Sequence, residues 1–482
     1  MTFRKPLYIV LLLVLLPFLT ACSWFDVGND SEEDEENLFS SPDGYMSSLT
    51  GLYTNLGTKS LYGGNLSLYA LEPLTQQYTV SSDNPDRVAW SKFNYTTDAG
   101  QKLNNDIFLT MYNTIVNDNM LLLKLDKAAS VGIPESISNI MRGEALGLRA
   151  FMYFDLLRLY NPSFMVDSLA RNVPYKTDFG FALGQRISSA ELLRNLVDDL
   201  QKARQLLSAD PLKTGQSLPD RYVKYNRLQR MNYYAVAALL ARISLYRGNY
   251  TMAAHYALEV INSGKFRFIR ENEIEKTDAY GVIQKSDRLF EPEMIFALNT
   301  ENVLSVSRSY YEGLTQDFVK STHAYADGDV RTVWFFTNPS AGGKINMVRY
   351  ERSTQIADSK KYGDPVVPML KLSEMYLIVA ECGLQNASTG IDARTMLNEL
   401  KHARGAAEVG VSASASDLRR EITHEYICDF KGEGQLFYYY KRMNMVSVDD
   451  GNYNGNTVTV PTGAYTLPLP EYEKQFGYGQ NR

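Results

Sequence analysis

Tryptophan, cysteine and histidine are scarce in this chain, and neither sign of charge is in large excess. Over 482 residues there are 3 Trp, 3 Cys and 4 His. Three cysteines cannot build a disulfide framework, and none stands in a CxxC or Cys/His spacing suited to zinc. His255, His323, His402 and His424 are far apart, with no HExxH pair among them. GxSxG, GxxxxGK and EF-hand-like loops are all missing, which removes the usual marks of serine hydrolases, P-loop enzymes and calcium sensors. No cofactor or resident metal is therefore expected. A formal charge of −6 offers no basic excess for nucleic acid. Only one long apolar run exists, Leu7 to Leu19, and it is short of the ~20 residues a spanning helix needs.

Tyrosine is what the chain has in quantity, 33 against 21 Phe. Its flat apolar face and polar tip suit core rims, wet interfaces and contacts with sugars or peptides. Hydrophobic residues at 45% and charged residues at 22% are ordinary for a globular protein.

The N-terminus reads as an export signal. Arg4 and Lys5 precede the apolar run, and Leu19-Thr20-Ala21-Cys22 closes it. This ending resembles a bacterial lipobox, which implies cleavage of residues 1–21 and acylation of Cys22; the alternative is a plain signal peptide with a chance cysteine. Several acyl chains hold a protein to a membrane where one binds marginally. Loss of Arg4 and Lys5 takes the formal charge from −6 to −8. Asp26, Asp30, Glu32, Glu33, Asp34, Glu35 and Glu36 follow at once, so residues 22–40 read as a solvated acidic tether. The run also resembles the acidic export signal of Bacteroidetes surface lipoproteins. Cys382 and Cys428 remain, at apolar helical positions. Buried free thiols are the expectation, with a disulfide as the alternative.

From residue 41 the apolar spacing is mostly helical. Helices are expected over Pro42–Leu56, Gln101–Lys127 and Gly143–Tyr160, the last stopped by Asn161-Pro162. Its apolar residues nearly encircle it, so it should be central, with Arg149 and Arg158 each in an internal ion pair. Ser188 and Glu191 form a capping box for a helix to Leu207. Tyr233–Tyr246, a turn at Gly248-Asn249 and Tyr250–Asn262 make a hairpin in which small Ala241 and Ala253 permit close approach. A second hairpin is expected from Pro368 to Arg404. Residues 60–100, 161–187, 265–365 and 435–482 lose the helical period, with short strands at Met294–Leu298 and Thr457–Val460. Irregular segments of this length within a helical scaffold are usually functional or disordered, and their aromatic content argues against disorder.

These blocks, in this order, resemble the SusD/RagB family. The resemblance rests on Gly143-Glu144-Ala145, Leu148-Arg149-Ala150-Phe151 and Tyr153-Phe154-Asp155-Leu156, on Asn232 to Asn249 with Tyr250, Ala253 and Ala257, and on Pro368 to Glu381. Leu397, Asn398 and Arg404 continue it, then Ile422, Glu425, Phe430, Gly432-Glu433-Gly434, Lys441-Arg442 and Leu467-Pro468-Leu469-Pro470 with Glu473. Departures are Tyr426, Gln435-Leu436 and Phe108, where the family favours arginine, arginine and tryptophan. The resemblance implies a mainly α fold: four tetratricopeptide-like helix pairs forming a scaffold for a loop-rich half, as one domain over 41–482. It implies a lipid-anchored protein on the extracellular face of the outer membrane, and a SusC-like TonB-dependent transporter as partner. An oligosaccharide, or for the RagB branch a peptide, is the implied ligand, and no catalysis.

Glycan sites combine aromatic faces with short polar groups and an arginine. Within insertions near 60–100 and 265–365 the candidates are Trp90, Trp334, Tyr78, Arg87, Tyr310 and Tyr311. Tyr62, Tyr69, Phe93, Tyr95, Asp83, Asn84 and Asp86 lie among them. Against each aromatic stands the plainer reading that it plugs a seam in the core. Asp329 and Arg331, near Trp334, read equally as a structural ion pair. Two carboxylates at glycosidase spacing are not excluded among 55 acids, so a surface glycoside hydrolase stays as an alternative. A protein-binding tetratricopeptide scaffold is the third reading.

Overall fold

The computed structural model describes residues 34–477, apart from 78–79, 81, 181, 220–225, 278–282, 301–302, 312–327, 332–334, 336–347, 351–365, 387–389 and 451–455. Cys22 and its signal, Tyr78, His323 and Trp334 thus lie outside the described residues.

The central element is a helix whose sequence leaves it no wet face. Glu135–Tyr160 (α4) is buried at every position from Gly143 to Tyr160. The charges on that buried stretch are all paired internally, as expected for Arg149 and Arg158. Arg149 donates to Asp199 at 2.8 and 3.0 Å, Arg158 pairs with Asp155, and Glu144 pairs with Arg227 and accepts the Tyr53 hydroxyl at 2.7 Å. Unpaired, each would cost several kcal/mol at this burial. Asn161 ends the helix in an extended conformation ahead of Pro162.

Before it come α1 (Pro42–Leu56), α2 (Pro85–Ser91) and α3 (Asp98–Lys124). After it come α5 (Ser189–Leu206), α6 (Tyr233–Tyr246), α7 (Tyr250–Asn262) and α8 (Val303–Tyr311). The C-terminal third adds α9 (Leu372–Gln385), α10 (Ala393–Ala403), α11 (Ala415–Asp429), α12 (Gln435–Arg442) and α13 (Glu471–Phe476). Packing follows the chain: α1 on α3, α3 on α4, α4 on α5, α5 on α6, α6 on α7, α7 on α9, α9 on α10 and α11. Each helix has one stripe to bury and uses its sequence neighbour to do so. The α6/α7 hairpin has its expected bounds. Asn232 and Asn249 cap the two helices by accepting the Ala235 and Met252 N–H groups, and Ala241, Ala253 and Ala257 are fully buried at the contact.

Strands are short and paired in twos: β1 (Pro174–Tyr175) with β2 (Gln185–Arg186), β3 (Glu275–Thr277) with β4 (Ile283–Ser286), β5 (Met294–Asn299) with β6 (Val366–Lys371), and β7 (Ser447–Asp449) with β8 (Thr457–Thr459). β5 and β6 run antiparallel, from Met294 opposite Lys371 to Asn299 opposite Val366, and so close the long insertion between them.

Three expectations are corrected. The second hairpin begins at Leu372, because Val366–Lys371 is a fully buried strand; an unbroken apolar run does not distinguish strand from helix. The period was expected to vanish after 435, yet α12 stands there, buried from Gln435 to Lys441 and so without the polar face that marks a helix. The Ser188 hydroxyl does accept the Glu191 N–H at 3.2 Å, but the two-way box forms at α11, between Ser414 and Asp417. Cys382 and Cys428 are buried thiols outside any disulfide, and burial pushes the Cys382 thiol up to about 12 and Cys428 well above its usual value, so neither is a reactive thiolate. Among the described residues no helix is long and apolar enough to cross a membrane, and no three His, Cys, Asp or Glu side chains gather to hold a metal.

Candidate functional site

A cleft of about 390 Å³ opens between the 58–70 segment, α2 and the start of α3. Its floor is shaped by backbone that only glycine permits. A Cβ on Gly63 would lie 2.2 Å from the Gly57 carbonyl oxygen, and one on Gly64 2.7 Å from that of Lys59. The tight entry leads into a π-turn, Asn65–Tyr69, in which Ala70 N–H reaches back to the Asn65 carbonyl at 3.1 Å. π-turns recur at functional sites because the extra residue re-aims a side chain. Here it leaves Tyr69 half-buried at the cleft while Leu66 and Leu68 fill the core.

Two cations attend the Tyr69 ring: the Arg87 guanidinium carbon 5.1 Å from its centroid and Lys59 Nζ at 5.7 Å. Arg87 is held by α2, whose cap Asn84 accepts the Arg87 N–H at 3.0 Å. Asp86 and Arg87 line one wall; Lys102, Leu103 and Asp106, one turn apart on α3, line another. Lys102 and Asp106 form an i,i+4 ion pair at 2.8 Å.

Trp90 belongs to this wall but is only 4% exposed, and its indole N–H donates to the Ala70 carbonyl at 2.7 Å. Its ring meets Tyr95 edge-on at 4.8 Å. The indole shapes the cleft and offers no open stacking face. Tyr62 and Tyr95 are structural too, donating to Asp155 and to the Ala464 carbonyl at 2.6 Å each. Tyr310 and Tyr311 end α8; their side chains lie outside the described part, but α8 packs on the Asn65–Tyr69 turn, which brings the two insertions together. Lys59, Lys102 and Asp106 escaped the sequence reading, because exposed charges on turns and helix faces look the same whether or not they border a cleft.

Other hollows are poorer candidates. A groove of about 570 Å³ on α4 and α5 and another of about 640 Å³ beside α11 are larger but have no Tyr, Trp or Phe in their walls. A ring-rich cavity between α4, α6 and α12 has room, at about 30 Å³, for little more than a water.

Behind the cleft lies a buried charge network. Arg331, Arg349 and Arg404 are almost wholly inaccessible. Arg331 joins Asp329, Glu425 and Asp429; Arg404 joins Glu293 and Asp429; Lys371 joins Asp429 and Glu433; Arg349 joins Glu433. Asp329 and Arg331 are thus a structural pair. Burial opposes ionisation of Asp429, but Arg404, Lys371 and Arg331 outweigh it and hold the carboxyl well below the usual range. Glu72, just after the π-turn, accepts the Gly432 N–H at 2.8 Å, and burial pushes its carboxyl up to about 7 against the opposing Lys431 charge.

Comparison with known proteins agrees with this architecture. A family model described as starch-binding associating with outer membrane, SusD-like, matches residues 23–245, and the SusD family model matches 265–467. A SusD-like carbohydrate binding protein from Bacteroides vulgatus superposes with a TM-score of 0.67 at 19% identity, over 91% of this chain and 98% of its own. A SusD superfamily protein from Bacteroides fragilis gives 0.68 at 19%, covering 92% and 100%, and one from Bacteroides thetaiotaomicron 0.64 at 21%, covering 91% and 98%. At these identities the likeness establishes the fold. No curated protein sequence matches the chain.

Proposed function

The chain belongs to the SusD/RagB family, whose members are outer-membrane-associated binding proteins rather than enzymes, and on that premise we propose that it captures an oligosaccharide at the cell surface for a SusC-like, TonB-dependent transporter. Acylated Cys22 would hold it to the membrane, with the acidic 22–40 segment as spacer.

One observation carries the reading: among the described residues, the cleft at Tyr69 is a ring-bearing hollow with room for sugar, in which the helices α2 and α3 form rigid walls against the 58–70 segment. A binding protein needs that division of labour, since affinity falls when the recognition groups must first be ordered. The B. vulgatus relative, described as carbohydrate binding, supports a glycan as cargo. The candidates Trp90 and Arg87 enter as wall and cation; Tyr78, Trp334, Tyr310 and Tyr311 are proposed as further contacts from the neighbouring insertions.

Calorimetry of the chain from residue 23 onward, without signal and anchor cysteine, against a panel of oligosaccharides tests this, with reducing ends assayed in parallel. Binding without turnover, weakened about tenfold in Tyr69→Ala as expected for the loss of ~1.4 kcal/mol of contact, agrees with the reading. Turnover abolished by replacing a single carboxylate would establish a glycoside hydrolase, and affinity for peptides alone would establish the RagB-like alternative.

A further inference from the structure

Apart from what the cleft binds, we infer that the small cavity between α4, α6 and α12 is a binding site for one buried water, which accepts a hydrogen bond from Arg242 and joins it to the hydroxyls of Tyr246 and Tyr438. Two observations coincide there. The cavity is about 30 Å³, enough for a single water and for little else. Three of the residues lining it carry a buried polar atom whose hydrogen finds no acceptor among the described residues: Arg242 Nη1 and the Tyr246 and Tyr438 hydroxyls. The Phe164 N–H stands toward the Tyr246 oxygen, which leaves that hydroxyl's own proton uncommitted. Buried donors are nearly always bonded, so three around one small hollow call for a common partner.

Each of the three is held in place by other contacts. Arg242 Nε and Nη2 grip both oxygens of Glu374, and Nη2 also donates to the Met369 carbonyl at 2.7 Å, so Nη1 is the nitrogen left over. The Arg158 guanidinium carbon lies 3.6 Å from the Tyr438 ring centroid, and Tyr246 meets Phe154 edge-on at 5.3 Å. The chemistry of the wall then selects the guest. Arg242 can only donate, so the guest must accept. A cation is repelled by Arg158, Arg242 and Arg442, all in the lining. An anion gains little, because those three charges are matched by Asp155, Glu374 and Glu381. Water is neutral and both accepts and donates. It takes hydrogen bonds from Arg242 and Tyr246 and returns one to the Tyr438 oxygen. Arg242 and Tyr246 belong to α6 and Tyr438 to α12, so the water ties the last buried helix to the central hairpin.

The test has two readouts on the chain from residue 23 onward. A high-resolution crystal structure should show one density peak within hydrogen-bonding distance of Arg242 Nη1 and both hydroxyls, with no anomalous signal there after a sodium bromide soak. Tyr438→Phe keeps the ring and removes only the hydroxyl. It should raise the unfolding equilibrium constant, measured in urea, by about 2- to 10-fold, the loss of one hydrogen bond, and Tyr246→Phe should act in the same direction. Were these hydroxyls bonded to nothing, deleting one would leave stability equal or greater. A cavity without density, a bromide peak inside it, or a Tyr438→Phe chain as stable as wild type would each overturn the inference. None of these outcomes bears on glycan binding at Tyr69, so the proposed function stands or falls separately.

Discussion

Replacing Arg331 by methionine should cost the folded state about 3–5 kcal/mol, the range for leaving a buried charge without its partner. The guanidinium has no solvent contact. It donates to the Asp329 carboxylate at 2.6 to 3.2 Å and to Glu425 at 2.8 Å, with Asp429 at 3.4 Å. Asp429 keeps Arg404 and Lys371, and Glu425 keeps Lys401 at 3.5 Å, so most of the loss falls on Asp329 and Glu425. Urea unfolding followed by far-UV circular dichroism measures it. Removing the stranded charge as well, in Arg331→Met with Asp329→Asn, should recover part of the loss, giving a coupling of about 1–3 kcal/mol. The deficit should also depend on pH. Burial alone would raise the Glu425 carboxyl, but Arg331 first and Lys401 next hold it below its ordinary value. A depressed carboxylate contributes stability above its unfolded pKa of ~4.3, lost as pH falls through the folded value. Wild type loses this at low pH while the variant has little to lose, so the gap should be full at pH ~7 and narrow below ~4. A loss under ~1 kcal/mol, or a double variant no better than the sum of the singles, would refute the reasoning.

Glu72 titrates in the opposite sense. With its folded pKa raised to about 7 by burial, it keeps a proton that the unfolded chain releases, so stability should fall as pH rises from 4.5 to about 7. The span is roughly 3 kcal/mol at most, and Glu72→Gln should flatten it in urea midpoints taken at pH ~5 and ~8; an unchanged slope contradicts the assignment. Gly434 has φ +71°, and a Cβ there would lie 2.2 Å from the Leu66 carbonyl oxygen. Gly434→Ala should cost about 1–3 kcal/mol in strain and, because Leu66 sits in the turn that carries Tyr69, weaken glycan binding too; equal affinity would show that the turn is not coupled to α12. Cys22→Ser should release the protein from the membrane fraction of cells, and retention there would dismiss lipid anchoring.

Helices with one wet face were legible, and the others were not. Pro42–Leu56 and Tyr250–Asn262 have the bounds their periodicity and caps indicate, since Ser41 and Asn249 each accept a hydrogen bond from the first turn. α12 was missed because Leu436, Phe437, Tyr438, Tyr439 and Tyr440 are all buried, and Gly432 and Gly434 before it read as loop. Both glycines have positive φ and serve to turn the chain into the helix. The cleft was half legible. Rare tryptophan outside a helical pair pointed to the segment that lines this cleft, yet Trp90 itself lies nearly buried, its N–H satisfied by the Ala70 carbonyl. Tyr69 and Arg87 were within the segment indicated; Lys59 is brought to them by a π-turn that no local pattern announces.

The charge network explains how Arg331 and Arg349, within the long insertion, are held against the scaffold. An insertion as long as residues 300–365 pays for closure only logarithmically in its length, so β5 and β6 can pin its ends at modest cost. Pinned ends alone would not fix the register of what lies between them. Arg331 and Arg349 instead fix it at two points: Arg331 reaches Glu425, and Arg349 donates to the Lys431 carbonyl at 2.8 Å while pairing with Glu433. A displacement of one residue along the chain would strand these charges in a dry interior, at several kcal/mol each. The same 430–434 turn receives Glu72 from behind the cleft. One buried turn thereby sets the position of both insertions against the scaffold. On the proposed function, a cleft held in this way stands assembled before any ligand arrives, and binding need not supply the energy to order it.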